Sequence, residues 1–422
     1  MNNRQIPRPS NIIESFKILK GNTRVSIQFE PLWGIPFVLY NFYLSLYMKE
    51  IGVTNQEIGY LIAIGFLAGT IFSMFGGVIT DKLGRKKTTL IFDLISWPLV
   101  MIIYFFSNSF WMFALATVVN SVTRIVAVSW NMMVIEDADN DQRVAAFNLL
   151  NIITIATGVI IPIAGILVNA FGVVHGERIF LGLAAVSMTT MMLVRNHYYV
   201  ETRTGKQILE EHRKNPMSNI FKNALPHHAI RELIKKPVTL MVVCVMVLFN
   251  IYITLGGFNS LYFAPYMTEV LSLGKSTISI LGGIYSAVLF FIFVFINPVI
   301  SRLNKTVNMI VGLVIQAVAL FLLTTIPQGN LIIASLCVIL FAFGFGIFKP
   351  FIDSLLAEVT EGKDRAGVYS MINMAICIGT ALMGVVSGIL YVLNPRMLYF
   401  TSIAILLTCV GILVAILKSK EL

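Results

Sequence analysis

Long runs without Asp, Glu, Lys or Arg alternate with short charged clusters along the whole chain. The runs are 58–80, 94–123, 144–176, 237–268, 276–301, 306–348, 366–395 and 397–417. About 20 apolar residues in a helix span the roughly 30 Å of a bilayer core. Each run therefore predicts at least one crossing. The run 306–348 predicts two, parted at Pro327, Gln328, Gly329 and Asn330. With the aromatic-rich 31–49, the pattern predicts twelve crossings, at about 31–49, 56–79, 88–106, 110–135, 144–171, 178–198, 237–267, 277–300, 307–326, 331–356, 366–392 and 397–417. The expected fold is an all-α polytopic membrane protein.

Composition agrees: 57% of the 422 residues are hydrophobic and 12% charged, against about 25% charged in soluble domains. The net charge of +10 is not a nucleic-acid footprint, because its distribution follows the crossings. With the N-terminus inside, the outer loops hold only Lys49, Arg178, Lys275 and Arg396. The other bases, apart from Arg124 and Lys349 within helices, fall on the inner side, as the positive-inside rule requires. Both termini are thus expected in the cytoplasm, with the chain in the cell (inner) membrane and the lipid bilayer as its partner.

The expected organisation is a cytoplasmic N-terminal segment (1–30), a six-helix bundle (31–198), a cytoplasmic linker (199–236), a second six-helix bundle (237–418) and a short tail (419–422). Residues 11–20 read as a short helix on the inner surface, with Asn11 and Glu14 as a capping box. The first thirty residues are polar and mixed, so no cleavable signal is expected and crossing 1 serves as the insertion signal. Cys244, Cys337, Cys377 and Cys409 all fall in apolar runs, where thiols act as small hydrophobes. Neither a disulfide nor a metal site is expected. The chain carries no phosphate loop, nucleophile elbow or zinc motif, so neither an enzyme nor a cofactor is expected.

The halves repeat. Glu136, Arg143, Phe147 and Asn151 recur at one constant offset as Glu358, Arg365, Tyr369 and Asn373, and Tyr40 and Asn131 meet Tyr262 and Asp353. Both halves start on the inner side, which makes them parallel repeats about the membrane normal.

Charge inside a crossing is expensive and marks a cavity or a partner. Arg124 has no acid within one turn. Lys349 has Asp353 four residues on, so it either forms a private pair or faces a central cavity shared with Arg124. Asp93 is the other acid available to balance these cations. Crossing 1 supplies Trp33, Phe37, Tyr40 and Asn41, and crossing 7 supplies Asn259 and Tyr262. These residues and Asn131 are the candidates for substrate binding or coupling. The aromatics among them read equally as packing.

Between crossings 2 and 3 the chain reads G-x-x-x-D-K-x-G-R-K-K, from Gly77 through Asp81, Gly84 and Arg85 to Lys87. The order resembles the loop 2–3 signature of the major facilitator superfamily of secondary transporters. That resemblance implies two six-helix bundles that rock about a midplane site. It also implies a lock that shuts the inner side of the outward-facing state. Gly77 would let crossing 2 approach crossing 11, Asp81 would sit at the start of crossing 11, and Arg85 would pair with Glu136. Arg143, Glu358 and Arg365 are the repeated inner residues of the same lock. Loop 8–9 keeps Arg302 and Lys305 but lacks the glycines and the aspartate. Arg124 matches an arginine that many members carry in crossing 4. Gly158, Pro162 and Gly165 in crossing 5 are similar in part to the antiporter signature.

The function implied is secondary active transport of a small polar or anionic organic solute, coupled to protons, with a monomer sufficient. Alternatives are proton-driven efflux of amphipathic compounds and, in another class, a transport-deficient receptor or lipid scramblase.

Overall fold

The computed structural model describes residues 12–214, 237–258, 260–300, 303–359 and 365–419. Asn11, Asn259, residues 215–236 of the linker and the side chains of Glu358 and Arg365 lie outside the described residues.

Ten helical stretches among the described residues are long and apolar enough to cross a membrane. One of them, 58 residues over 141–198, holds two crossings, because Gly172 (φ 76°, ψ 169°) turns the chain. That left-handed backbone is open to glycine at no steric cost. Crossing 1 is Pro31–Glu50. Its polar and aromatic side chains keep it out of the apolar set, but 20 residues suffice to span.

Crossing 2, Asn55–Leu83, starts on a capping box in which Thr54 and Glu57 satisfy each other's backbone N–H. Crossing 3 is Arg85–Leu94, a π-helical turn at Ile95–Leu99, then Val100–Phe106. Pro98 lies in the turn, and a proline without an N–H frees the ladder to widen there. Crossing 4 breaks between Phe110–Asn120 and Thr123–Ile135. Crossing 7 departs from the continuous helix expected over 237–267. It runs Pro237–Gly256, loses helical form, and resumes as Phe263–Glu269. Gly256 and Gly257 weaken the helix, and the ring of Pro265 opposes a helical turn before it. Crossings 8 to 12 follow as Ile278–Ile300 with a π-helical turn at Ile292–Ile296, Lys305–Thr325, Leu331–Val359, Arg365–Leu393 and Pro395–Ser419.

The closest packing between the halves is of crossing 2 on crossing 11 and of crossing 5 on crossing 8. Both depend on absent side chains. A Cβ on Gly59 would stand 2.5 Å from the Gly384 carbonyl oxygen and 3.0 Å from the Gly388 Cα. One on Gly158 would meet the Ser286 Oγ at 2.1 Å, and one on Gly165 the Ser279 Oγ at 2.0 Å. Pro162 lies against Gly283. The glycine–proline pattern of crossing 5 thus builds a helix contact.

The face that bears turn 1–2 is sealed. Lys49 and Asn55 bond Glu269, and Lys275 pairs with Glu50. The Tyr43 hydroxyl donates to the Lys275 carbonyl at 2.7 Å, and that of Tyr262 to the Asn55 carbonyl at 3.1 Å. At the loop 2–3 end of crossing 2, a Cβ on Gly77 would meet nothing within 4 Å.

Candidate substrate cavity and the loop 2–3 network

A cavity of about 400 Å³ lies beneath the seal, walled by crossings 1, 2, 3, 4 and 7. Arg124 enters it at the break in crossing 4. The Ser121 hydroxyl at this break donates to the Gly65 carbonyl at 2.9 Å and so ties crossing 4 to crossing 2. Gly69 leaves room for the arginine: a Cβ there would stand 3.3 Å from Arg124 Nε. The guanidinium lies over the Phe66 ring at 5.9 Å, a cation–π contact. It has no hydrogen bond or ion pair among the described residues. Among the described residues, no acid lines the cavity. Asn41, Asn120, Thr254 and Ser260 are among its polar lining, and the Ser260 Oγ is buried without a partner among the described residues.

Lys349 does not line this cavity. It spends its charge on Asp353, with Nζ 2.6 and 2.5 Å from the two carboxylate oxygens, because i,i+4 spacing stacks the two on one helix face. The shared two-cation cavity is therefore corrected to a cavity with one cation. Asp93 does not balance either cation; it is buried against Arg195. Tyr262 belongs to the seal, fully buried and stacked on Tyr391 at 5.1 Å. Trp33 and Phe37 stack at 4.6 Å and both meet Trp97 edge-on, and Tyr40 is buried edge-on to Phe37. These aromatics pack on each other. Asn131 is exposed near the loop end of crossing 4. Of the substrate candidates, the cavity gathers Arg124 and Asn41.

At the loop 2–3 face, the Arg85 side chain is 3% exposed. Its Nε and Nη2 donate to Glu136 at 3.2–3.3 Å, and its Nη1 to Asp81 at 3.0 Å. Asp81 thus bonds within its own loop in this conformation, and among the described residues none lies within 4 Å of a Cβ on Gly77. The Arg143 Nε donates to the Ile135 carbonyl at 2.9 Å and caps crossing 4.

Glu201 was not among the candidates. Its carboxylate accepts the Arg85 and Lys86 backbone N–H groups at 3.0 and 3.1 Å, an anion on the positive end of a helix. Thr202 bonds Glu136, and the Lys86 Nζ donates to the Tyr199 carbonyl at 2.6 Å. Gly84, at φ 86°, lies so close that a Cβ would stand 2.6 Å from Glu201. The start of the linker is therefore docked, with Arg203–Lys214 helical. On the neighbouring loop, the Gln142 backbone and amide N–H groups hold the Asp139 carboxyl below the usual carboxylate range.

The profile of the major facilitator superfamily matches residues 34–263 and 251–421. The chain belongs to the major facilitator superfamily. It is a multi-pass membrane transporter of that fold, not an enzyme. Among solved structures, it is similar to a D-xylose–proton symporter (TM-score 0.72, 14% identity, 96% of this chain and 97% of that one). It is likewise similar to the nucleoside transporter NupG (TM-score 0.66, 17% identity, 93% and 99%). At these identities the likeness is one of fold. Curated relatives match over short stretches. An uncharacterised MFS-type transporter, YqjV of Bacillus subtilis (strain 168), is 26% identical over 109 residues, 25% of this chain and 26% of its own length. The quinolone resistance protein NorA of Staphylococcus aureus (strain Mu50 / ATCC 700699) is 44% identical over 43 residues, 10% of this chain and 11% of its own length.

Proposed function

We propose that this chain is a secondary active transporter that moves a small anionic organic solute across the inner membrane by alternating access, coupled to protons. The supporting observation is Arg124, a guanidinium with no acid beside it in a cavity of about 400 Å³. An unpaired guanidinium is matched to a carboxylate or phosphate in a bidentate contact. The polar side chains of Asn41, Asn120, Thr254 and Ser260 would orient the rest of the solute.

The bundles 31–198 and 237–418 would move against each other, with 199–236 between them. With the basic loop 2–3 in the cytoplasm, the sealed turn 1–2 face is external and the conformation faces inward. The residues Gly77, Asp81 and Arg85 would then engage the second half when the transporter faces outward.

The test is a thermal-shift panel on purified protein, spanning organic anions, phosphates, sugars and lipophilic cations. A ligand at 100 times its Kd stabilises by about 2.7 kcal/mol. An anion whose shift is lost in Arg124→Ala supports the reading. The short match to NorA supports a second reading, efflux of amphipathic compounds. A shift from lipophilic cations that survives Arg124→Ala would replace the first reading with the second.

A further inference from the structure

A cluster of charge that the cavity does not use lies near the loop 2–3 end of the first half. Asp93 of crossing 3 and Arg195 of crossing 6 form an ion pair whose side chains are 6% and 4% exposed. Glu30 lies close by, at the joint between the surface helix Gly21–Phe29 and crossing 1. Its carboxyl makes no hydrogen bond or ion pair among the described residues. Burial, with Asp93 adding to it and Arg195 opposing it, pushes that carboxyl up to about 7. Tyr199 closes the group: the Arg195 guanidinium lies over its ring at 5.5 Å, and its hydroxyl bonds the Ser26 hydroxyl at 2.6 Å. Two carboxyls thus face one guanidinium, Asp93 buried and Glu30 half-buried. Fully ionised, the set carries one uncompensated negative charge, which low dielectric penalises. One proton makes it neutral.

The group is connected to the cavity. The Glu30 carbonyl accepts the Trp33 and Gly34 N–H groups at 3.0 and 2.9 Å, which starts crossing 1. The Trp33 ring packs edge-on against Trp97 at 5.1 Å. Trp97 belongs to the π-helical turn Ile95–Leu99, just beyond Asp93. In that turn the Ser96 carbonyl accepts the Asn120 side-chain N–H at 2.9 Å, and Asn120 lines the Arg124 cavity. A π-helical turn is a place where a helix changes register at low cost.

We propose that Glu30, Asp93 and Arg195 together bind one proton, at a site separate from the Arg124 cavity and linked to it through the π-helical turn of crossing 3. Only the use of this proton in transport rests on the proposed function. The proton itself binds without a solute.

The test is pH-difference infrared spectroscopy on the full-length protein in nanodiscs, with no solute added. A protonated-carboxyl C=O band should grow as the pH falls through about 7, and Glu30→Gln should abolish it. A band that persists in Glu30→Gln, or no band in the wild type, overturns the site. Asp93→Asn leaves Arg195 to Glu30 alone, so the midpoint should fall by about one pH unit or more; a purely structural role for Asp93 predicts no such fall. The link is read from Trp97 fluorescence in a background with Trp33, Trp111 and Trp130 changed to Phe. A step at the same midpoint, absent in Glu30→Gln, is expected. A flat trace with the infrared band intact refutes the link and leaves the site standing. Failure of every solute in the thermal-shift panel would not touch either result.

Discussion

Gly59→Ala tests the sealed face most directly. The new Cβ would stand 2.5 Å from the Gly384 carbonyl oxygen and 3.0 Å from the Gly388 nitrogen. Ordinary contact begins near 3.4 Å, so crossings 2 and 11 must separate by several tenths of an ångström. Both sides of the contact are backbone and cannot rotate away. Overpacking of this kind costs about 1–3 kcal/mol. The rim pairs, Lys275–Glu50 among them, are half-exposed and return at most about 1 kcal/mol each. The gain in helix propensity from Gly to Ala acts in both conformations and cancels. The cost falls only on the state sealed at this face, so the ratio of the two states should shift about 5- to 150-fold toward the other. Spin labels at Ser109→Cys and Gln328→Cys, both exposed on turns of opposite halves, report the opening by double electron–electron resonance. The exposed Cys244 is changed to Ser. A longer-distance population should grow in Gly59→Ala, and in Gly384→Ala, whose Cβ would meet Ile62 at 2.9 Å. Gly77→Ala, with nothing within 4 Å, should leave the distances unchanged. Wild-type distances in a folded Gly59→Ala would refute the reasoning.

Three further outcomes are expected. Asp93→Asn removes the one carboxylate bonded to Arg195 and leaves it only the charge of Glu30, which makes no ion pair with it, so the change should cost up to about 3–5 kcal/mol in denaturant unfolding; the apolar pair Asp93→Leu with Arg195→Met should recover most of it. Gly205→Val drives a side chain into Glu201 and Thr202, where even a Cβ would stand 2.2 and 2.8 Å away. It should undock Arg203–Lys214, seen as faster tryptic cleavage at Arg203 and Lys206 with the crossings intact. Glu30 is held at about 7 against an ordinary 4.5, so the folded protein binds its proton more tightly than the unfolded chain. Stability from this group therefore falls as the pH rises from about 4.5 to 7, by up to about 1.4 kcal/mol per unit, and is flat above. Melting curves of Glu30→Gln should lose that slope; an unchanged slope would assign it to another group.

The crossings were legible because bilayer length imposes a local signal that charge-free runs report directly. The crossing 5 glycines and the i,i+4 pair of Lys349 and Asp353 were also visible in local spacing. Partners far apart in the chain were not. Asp93 and Arg195 meet across crossings 3 and 6, and Arg195 read only as one more inner-face base. Glu201 looked like an ordinary linker acid, since nothing in its neighbourhood marks it as the cap of crossing 3. The break in crossing 7 was signalled by Gly256, Gly257 and Pro265, but membrane helices often absorb such residues as bends. Crossing 1 showed the opposite failure. Its aromatic and polar residues suggested a binding surface, whereas most of them fill the space against crossings 3 and 6.

The docking of Glu201 onto Arg85 and Lys86 also decides where this chain tolerates being cut. A break placed just after Tyr198 would deprive the first fragment of the carboxylate that caps its own third crossing. A break between 214 and 237 leaves that cap, and the Thr202–Glu136 bond, on the fragment that needs them. Two separately expressed pieces divided there should find each other in one membrane, since the glycine-lined contacts of crossings 2 with 11 and 5 with 8 require no covalent join. The first piece would carry the Asp93–Arg195, Arg85–Glu136 and Arg85–Asp81 pairs into that reunion, which makes this short stretch of linker the natural seam of the molecule.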